Sequence, residues 1–402
     1  MVAIFKDALH EQLGTWPLGY IPYGGADYGE IEAIAQAVGD GDDTAFHDAW
    51  AAAADRMMED GKRAEAAGHR ASARESFLRA ACFYGKSFHP LFGQPVDLRV
   101  IAGSQNQIAA FERGLALSDS AVAPQRIPFD GASLLAYVIP AQGRANEVRP
   151  LLIFNNGYDG TITDLFFASA VAASRRGYHA LIFDGPGQGT TLIEHGIRLR
   201  PDWETVIKAV VDFAQTLPNV DPQKIALCGW SLGGYLAPRA ASREHRLAAC
   251  VADPALPSVA DGFRAYAMKL GATRDETAHL GEMPAALMER LEKIVMHDRK
   301  LRWSVAKRGY WVNGATTLRD YLTSVEHYTM DGRIEDIRCP TLFTLAEDDT
   351  LAAGTQRFFD ALRCPKTLVR FSSDEGASEH CEMRNRSLVN RRVLDWMDEV
   401  LG

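Results

Sequence analysis

The sequence predicts an α/β fold, a doubly wound and mostly parallel sheet with a helical N-terminal region and a helical insertion. Three observations carry this. Apolar runs without polar alternation recur beyond residue 150, as at residues 151–154 and 225–228, and such runs suit strands buried on both faces. Amphipathic helical stretches separate them, so strand and helix alternate. The first 120 residues instead place apolar side chains at helical spacing.

Taken in order, residues 44–67 form an alanine-rich helix, Gly68 punctuates it, and residues 72–85 resume the pattern. Two antiparallel helices joined by a short turn are expected. A third helix is expected around residues 105–116, and the helical domain ends near Ser120, giving domains of 1–120 and 121–402. Short β-like runs follow at 125–129 and 133–139, then a polar turn at 141–148. The buried strands fall at 151–154, 180–183, 225–228, 248–251 and 341–345, with helices over 163–176, 203–217, 232–242 and 356–362. A strand at 367–371 and a helix at 387–401 complete the order. Between Asp253 and Pro340 lies a long interval containing Tyr266, Trp303, Tyr310 and Trp311. A structureless loop of that length is improbable, so residues 255–338 are expected to form a helical cap over the C-terminal edge of the strands.

Composition narrows the function. At 47% hydrophobic and 24% charged residues the chain is ordinary globular protein. The net charge of −9 argues against nucleic acid or an anionic membrane as main partner. No apolar run is long enough to span a bilayer, and no secretory signal is visible at the N-terminus. The six cysteines form no CxxC pair, which disfavours a zinc or redox motif. They read as reduced thiols of a cytoplasmic protein. The expected partner is a small-molecule substrate, the expected assembly a homodimer, and no metal or organic cofactor is called for.

The chemistry concentrates in Gly229-Trp230-Ser231-Leu232-Gly233-Gly234, which follows an apolar run and precedes a helical stretch. A G-x-S-x-G pattern between strand and helix is a nucleophile elbow. Side chains two before and two after the serine would collide with neighbouring backbone, and the turn lifts the hydroxyl to a helix N-terminus. A serine needs a base, and in this arrangement acid and histidine follow later in the chain. The strand at 341–345 runs into Glu347, Asp348 and Asp349. Asp349, three residues past Ala346, is the expected acid, with Asp348 read as a cap of the next helix. His380, past the strand at 367–371, is the expected base. The Leu232 and Tyr158 N–H groups are the expected oxyanion donors, Gly157 letting the loop after residues 151–154 bend close.

Phe183-Asp184-Gly185-Pro186-Gly187-Gln188-Gly189 lacks the dinucleotide spacing and a Walker lysine, so it reads as a tight turn beside the site. His47, Trp50, Tyr84 and His89 read as core packing that could line a pocket.

These motifs, with Glu379-His380-Cys381 and the helical segment at 68–76, resemble the α/β-hydrolase superfamily. The closer resemblance is to its branch with an N-terminal helical domain, that of 2,6-dihydroxypseudooxynicotine hydrolase and of hydrolases beside fungal polyketide pathways. The resemblance implies a Ser231–Asp349–His380 triad between two domains. It also implies C–C bond cleavage beside a ketone, assisted by a carboxylate that falls here at Asp159. Trp230 stands where that branch carries an arginine and is expected at the wall of the substrate site. The alternatives are a carboxylesterase or lactonase, a non-hydrolytic cyclase in the same pocket, and a binding protein without turnover.

Overall fold

A computed structural model describes residues 3–402. The N-terminal region holds helices α1 (Ala8–Gly14), α2 (Tyr28–Val38), α3 (Asp43–Ala66), α4 (Arg70–Ser87) and α5 (Leu98–Ala116), with a 3-10 segment at Trp16–Tyr23. Aspartates start most of them. Asp7 accepts from the Leu9 and His10 N–H groups, and Asp42 from those of Thr44 and Ala45. These satisfy amides that the first turn leaves bare. α5 starts seven residues before the expected position. Val100, Gly103 and Ser104 weaken its helical signal, yet all three are buried and Asp97 caps the start.

The sheet contains β1 (Gln125–Phe129), β2 (Ala132–Ile139), β3 (Arg149–Asn155), β4 (His179–Phe183), β5 (Val220–Trp230), β6 (Ala249–Asp253), β7 (Thr341–Ala346) and β8 (Lys366–Phe371). Its order is β1-β2-β4-β3-β5-β6-β7-β8. The first two pairings, β1/β2 and β2/β4, are antiparallel and the rest parallel. β4 and β6 are buried at every residue, which is why they read as continuous apolar runs. Asn155 pairs with Gly229, Trp230 with Asp253, and Ala346 with Phe371. The C-terminal ends of β3, β5, β6, β7 and β8 are therefore drawn up along one edge, and the loops leaving them meet there.

The insertion is helical, as expected, at Ala260–Lys269, Ala285–His297, 299–313 and Leu318–Val325. It has its own apolar cluster, in which Met288, Leu291 and Val295 pack with Leu318, Tyr321 and Leu322. The N-terminal helices do not: Phe46, Trp50, Phe83 and Phe111 belong to one continuous core with the sheet. All six cysteines are free. Among the described residues no helix is long and apolar enough to cross a membrane.

Candidate active site

β5 ends at Trp230 and the helix Gly233–Ala241 begins three residues later, so the chain must reverse within Ser231 and Leu232. Ser231 takes φ of 58°, the left-handed region that an L-residue enters only under strain. A Cβ on Gly229 would lie 2.1 Å from the Gly233 carbonyl oxygen, and one on Gly233 would lie 2.8 Å from that of Asn155. Both positions exclude any side chain. The Ser231 N–H donates to the Asp253 carbonyl at 2.7 Å, fixing the turn to the end of β6.

Ser231 Oγ lies 2.9 Å from His380 Nε2, and His380 Nδ1 lies 2.8 Å from Asp349 Oδ2. With Nδ1–H donating to the carboxylate, Nε2 is left to accept from the Ser231 hydroxyl. Asp349 is buried and does a second job: its Oδ1 accepts the Leu351 N–H at 2.9 Å, capping the 3-10 segment Thr350–Gly354. The capping expected of Asp348 thus belongs to Asp349. Asp348 is exposed, and its N–H donates to the Ser378 carbonyl at 2.8 Å. After His380 the backbone turns at two successive positive φ values, 53° at Cys381 and 45° at Glu382. That turn leaves the imidazole facing Ser231 and buries Glu382.

His380 keeps 37% of its side-chain surface exposed. Desolvation lowers its pKa, but the Asp349 hydrogen bond and charge, with Asp253 and Asp159 beyond, raise it above the ordinary 6.5. A protonated ring cannot accept the serine proton. The acid limb of kcat/KM is therefore expected above pH 6.5, activity falling as pH drops through it, with a lower midpoint in Asp349→Asn. A pH–rate profile of both proteins reads this; a wild-type midpoint below 6.5 contradicts it.

The loop after β3 lies against Ser231. A Cβ on Gly157 would lie 2.7 Å from Ser231 Cβ and 3.1 Å from its Oγ, so only glycine fits. Gln188 braces this loop, its Nε2 donating to the Asn156 and Gly157 carbonyls at 2.8 and 2.9 Å. The motif read as a tight turn thus also holds the loop beside Ser231. Among the described residues, neither the Leu232 nor the Tyr158 N–H has a hydrogen-bond partner. The Tyr158 ring is buried, its hydroxyl bonded to Asn313.

Asp159 does not cap the following helix; Thr161 does, in a capping box with Asp164. Asp159 Oδ2 instead meets Arg308 Nη1 of the cap at 2.9 Å, both side chains largely buried. The Arg308 guanidinium lies 4.7 Å from the Tyr158 ring centre and 4.9 Å from that of Trp303, a favourable cation–π geometry. The Trp230 side chain is turned towards Arg386. Its ring is 6% exposed, lies 5.1 Å from the Arg386 guanidinium, and borders a cavity of about 30 Å³ shared with Ser169 and Asp253. Trp50 packs against Phe83, Tyr84 bonds Asp55, and His89 is buried with Nε2–H donating to the Asp159 carbonyl at 2.8 Å.

Sequence reading missed a buried polar cluster behind the elbow. Asp253 accepts from Thr344 Oγ1 at 2.8 Å and Arg386 Nη1 at 3.0 Å, and the same Arg386 nitrogen reaches the Cys381 carbonyl at 2.7 Å. Burial, then the Asp253 charge and hydrogen bond, push the Glu382 carboxyl well above its usual range. One carboxylate thereby ties the elbow to the histidine turn. The only signal in the sequence is the i, i+4 spacing of Glu382 and Arg386. Among the described residues no group of three or more His, Cys, Asp or Glu side chains is placed to hold a metal.

The pattern of the alpha/beta hydrolase family matches residues 156–383. That span runs from the loop beside Ser231 to just past His380. The chain belongs to the alpha/beta hydrolase family. This hydrolase is 31% identical over 407 residues to "Hydrolase acrC" of Aspergillus aculeatus, covering 95% of this chain and 94% of that one. It is 29% identical over 401 residues to "20-hydroxy-prefusarin hydrolase FUS2" of Gibberella moniliformis, covering 96% and 94%. Among solved structures, 2,6-dihydroxy-pseudo-oxynicotine hydrolase shares the fold at a TM-score of 0.73 and 21% identity, with 95% of each chain covered. These matches include the N-terminal helices as well as the sheet. The protein is an enzyme, a hydrolase.

Proposed function

We propose that this hydrolase uses Ser231, His380 and Asp349 to cleave a C–C bond beside a ketone in a small carbonyl substrate, in a catabolic or secondary-metabolite pathway. The observation that carries the serine chemistry is the two-sided contact of His380, 2.9 Å to Ser231 Oγ and 2.8 Å to Asp349 Oδ2. His380 takes the Ser231 proton while Asp349 holds the imidazole tautomer. Ser231 Oγ attacks the carbonyl carbon, and the oxyanion lies against the unpartnered Leu232 and Tyr158 N–H groups. The C–C bond breaks, its electron pair leaves on the neighbouring carbon as an enolate, and the His380 imidazolium returns the proton. Water activated by His380 then releases the acid from Ser231.

Preference for a ketone rests on the family resemblance and on the Asp159–Arg308 pair at the far end of the same loop. An ester leaves as an alkoxide, which His380 can protonate unaided. An enolate leaving group gives a positioned carboxylate and guanidinium something to do. Asp159→Asn is expected to lower kcat on a β-diketone by about 10²–10⁴ and to leave an activated aryl ester unaffected. Steady-state assays on both substrates decide it. Equal and small losses would make a carboxylesterase or lactonase the better reading. Product mass tests the cyclase alternative, because hydrolysis adds one water.

A further inference from the structure

The loop carrying Tyr158 is held from the N-terminal helices by a chain of buried polar contacts. Asp164 is fully buried. Its Oδ2 accepts from the Thr161 N–H at 2.8 Å and Thr161 Oγ1 at 2.9 Å. Its Oδ1 lies 2.8 Å from Lys86 Nζ of α4 and accepts the Tyr20 hydroxyl at 2.8 Å. Lys86 is 1% exposed, its ammonium 4.3 Å from the Trp16 ring centre. Onward from Thr161, its carbonyl accepts Asn156 Nδ2 at 2.9 Å, and Asn156 Oδ1 accepts the Gly157 N–H at 3.1 Å. Gln107 of α5 donates to Thr161 Oγ1 at 2.8 Å and to Thr163 Oγ1 at 2.7 Å. Every link from Lys86 to Gly157, one residue before the Tyr158 amide, is therefore a close polar contact.

Stability does not account for this pair. Removing an ammonium and a carboxylate from water costs about what their attraction returns, and apolar side chains of similar size often serve as well. Position does account for it. An oxyanion donor works only within a few tenths of an ångström of its target, and a charged pair at one depth admits one register of loop against helix.

We infer that Lys86 and Asp164 are positioning residues that set the Tyr158 N–H at the oxyanion site, so that the N-terminal helices complete the catalytic centre without touching substrate. This rests on the reading of that amide as an oxyanion donor. Lys86→Met/Asp164→Asn removes both charges, leaves no buried ion unpaired, and keeps an acceptor for Thr161. The enzyme is assayed on an activated aryl ester and on its thionoester, whose sulfur is a poor acceptor for oxyanion donors.

The double variant should keep its melting temperature and lose about 10²–10³ in kcat on the ester, the cost of one oxyanion donor. KM should stay within about threefold, since the interaction forms in the transition state. The ester-to-thionoester rate ratio should fall towards its value in solution. A wild-type kcat and ratio in the folded double variant would overturn the inference while leaving the oxyanion reading intact. A wild-type enzyme whose ratio already equals the solution value would overturn the oxyanion reading, and the inference with it. Should the double variant fail to fold, Gln107→Leu acts on the same two threonines without touching a charge. A smaller loss of kcat and ratio there supports the inference; a wild-type ratio overturns it.

Discussion

Ser231→Ala is expected to lower kcat by about 10⁶, the cost of losing the nucleophile in a triad hydrolase. The fold should not notice. Among the described residues the Ser231 hydroxyl is hydrogen-bonded to His380 Nε2, and the tight turn is held by backbone, through the Ser231 N–H on Asp253 and the Gly234 N–H on the Ser231 carbonyl. A φ of 58° disfavours alanine as much as serine, so the exchange neither adds nor relieves strain. The measurement is kcat by single turnover, alongside the melting temperature and labelling by a fluorophosphonate. Activity within about tenfold of wild type would remove Ser231 as nucleophile, and with it the serine chemistry.

Asp349→Asn is expected to cost about 10⁴ in kcat. The asparagine amide can present an N–H to His380 Nδ1, which then turns acceptor. The ring's own proton moves to Nε2, facing Ser231 Oγ with a donor where an acceptor is required. Stability should change little, because the amide oxygen can still cap Leu351. Asp348→Asn is the control: the side chain is exposed and no hydrogen bond to it enters the site. Steady-state kinetics on both variants decide it. A large loss at position 348 with none at 349 would transfer the acid to Asp348.

The first forty residues show where sequence reading stops. α1 has 7 residues, α2 has 11, and the segment between them is a 3-10 turn containing Pro17 and Pro22. No such piece is stable alone, and none carries enough periodicity to be recognised. What orders them is remote: Phe5 packs on Phe46 and Trp50, and Tyr20 donates to Asp164. α5 was half legible for a related reason. Its first turns contain Val100, Gly103 and Ser104, whose propensity argues against helix while their burial enforces it.

What the sequence determined by itself is whatever depends on neighbours in the chain. The strands were legible because a segment buried on both faces must be apolar throughout. The elbow was legible because Gly229 answers a collision with Gly233, four residues on. Asp349 and His380 were legible as candidates because each lies in the loop after a strand and their order follows the topology. What only tertiary structure decided is what depends on partners far apart in the chain. Asp159 and Arg308 are 149 residues apart, and nothing near either marks the other as its counter-ion. Lys86 of α4 meets Asp164, 78 residues away in the chain, at 2.8 Å. Glu382 is turned inward beside Asp253 by two positive φ values. A charge is cheap in water and costly when buried, so the partner that makes burial tolerable is chosen by packing, which a linear pattern of residues does not record.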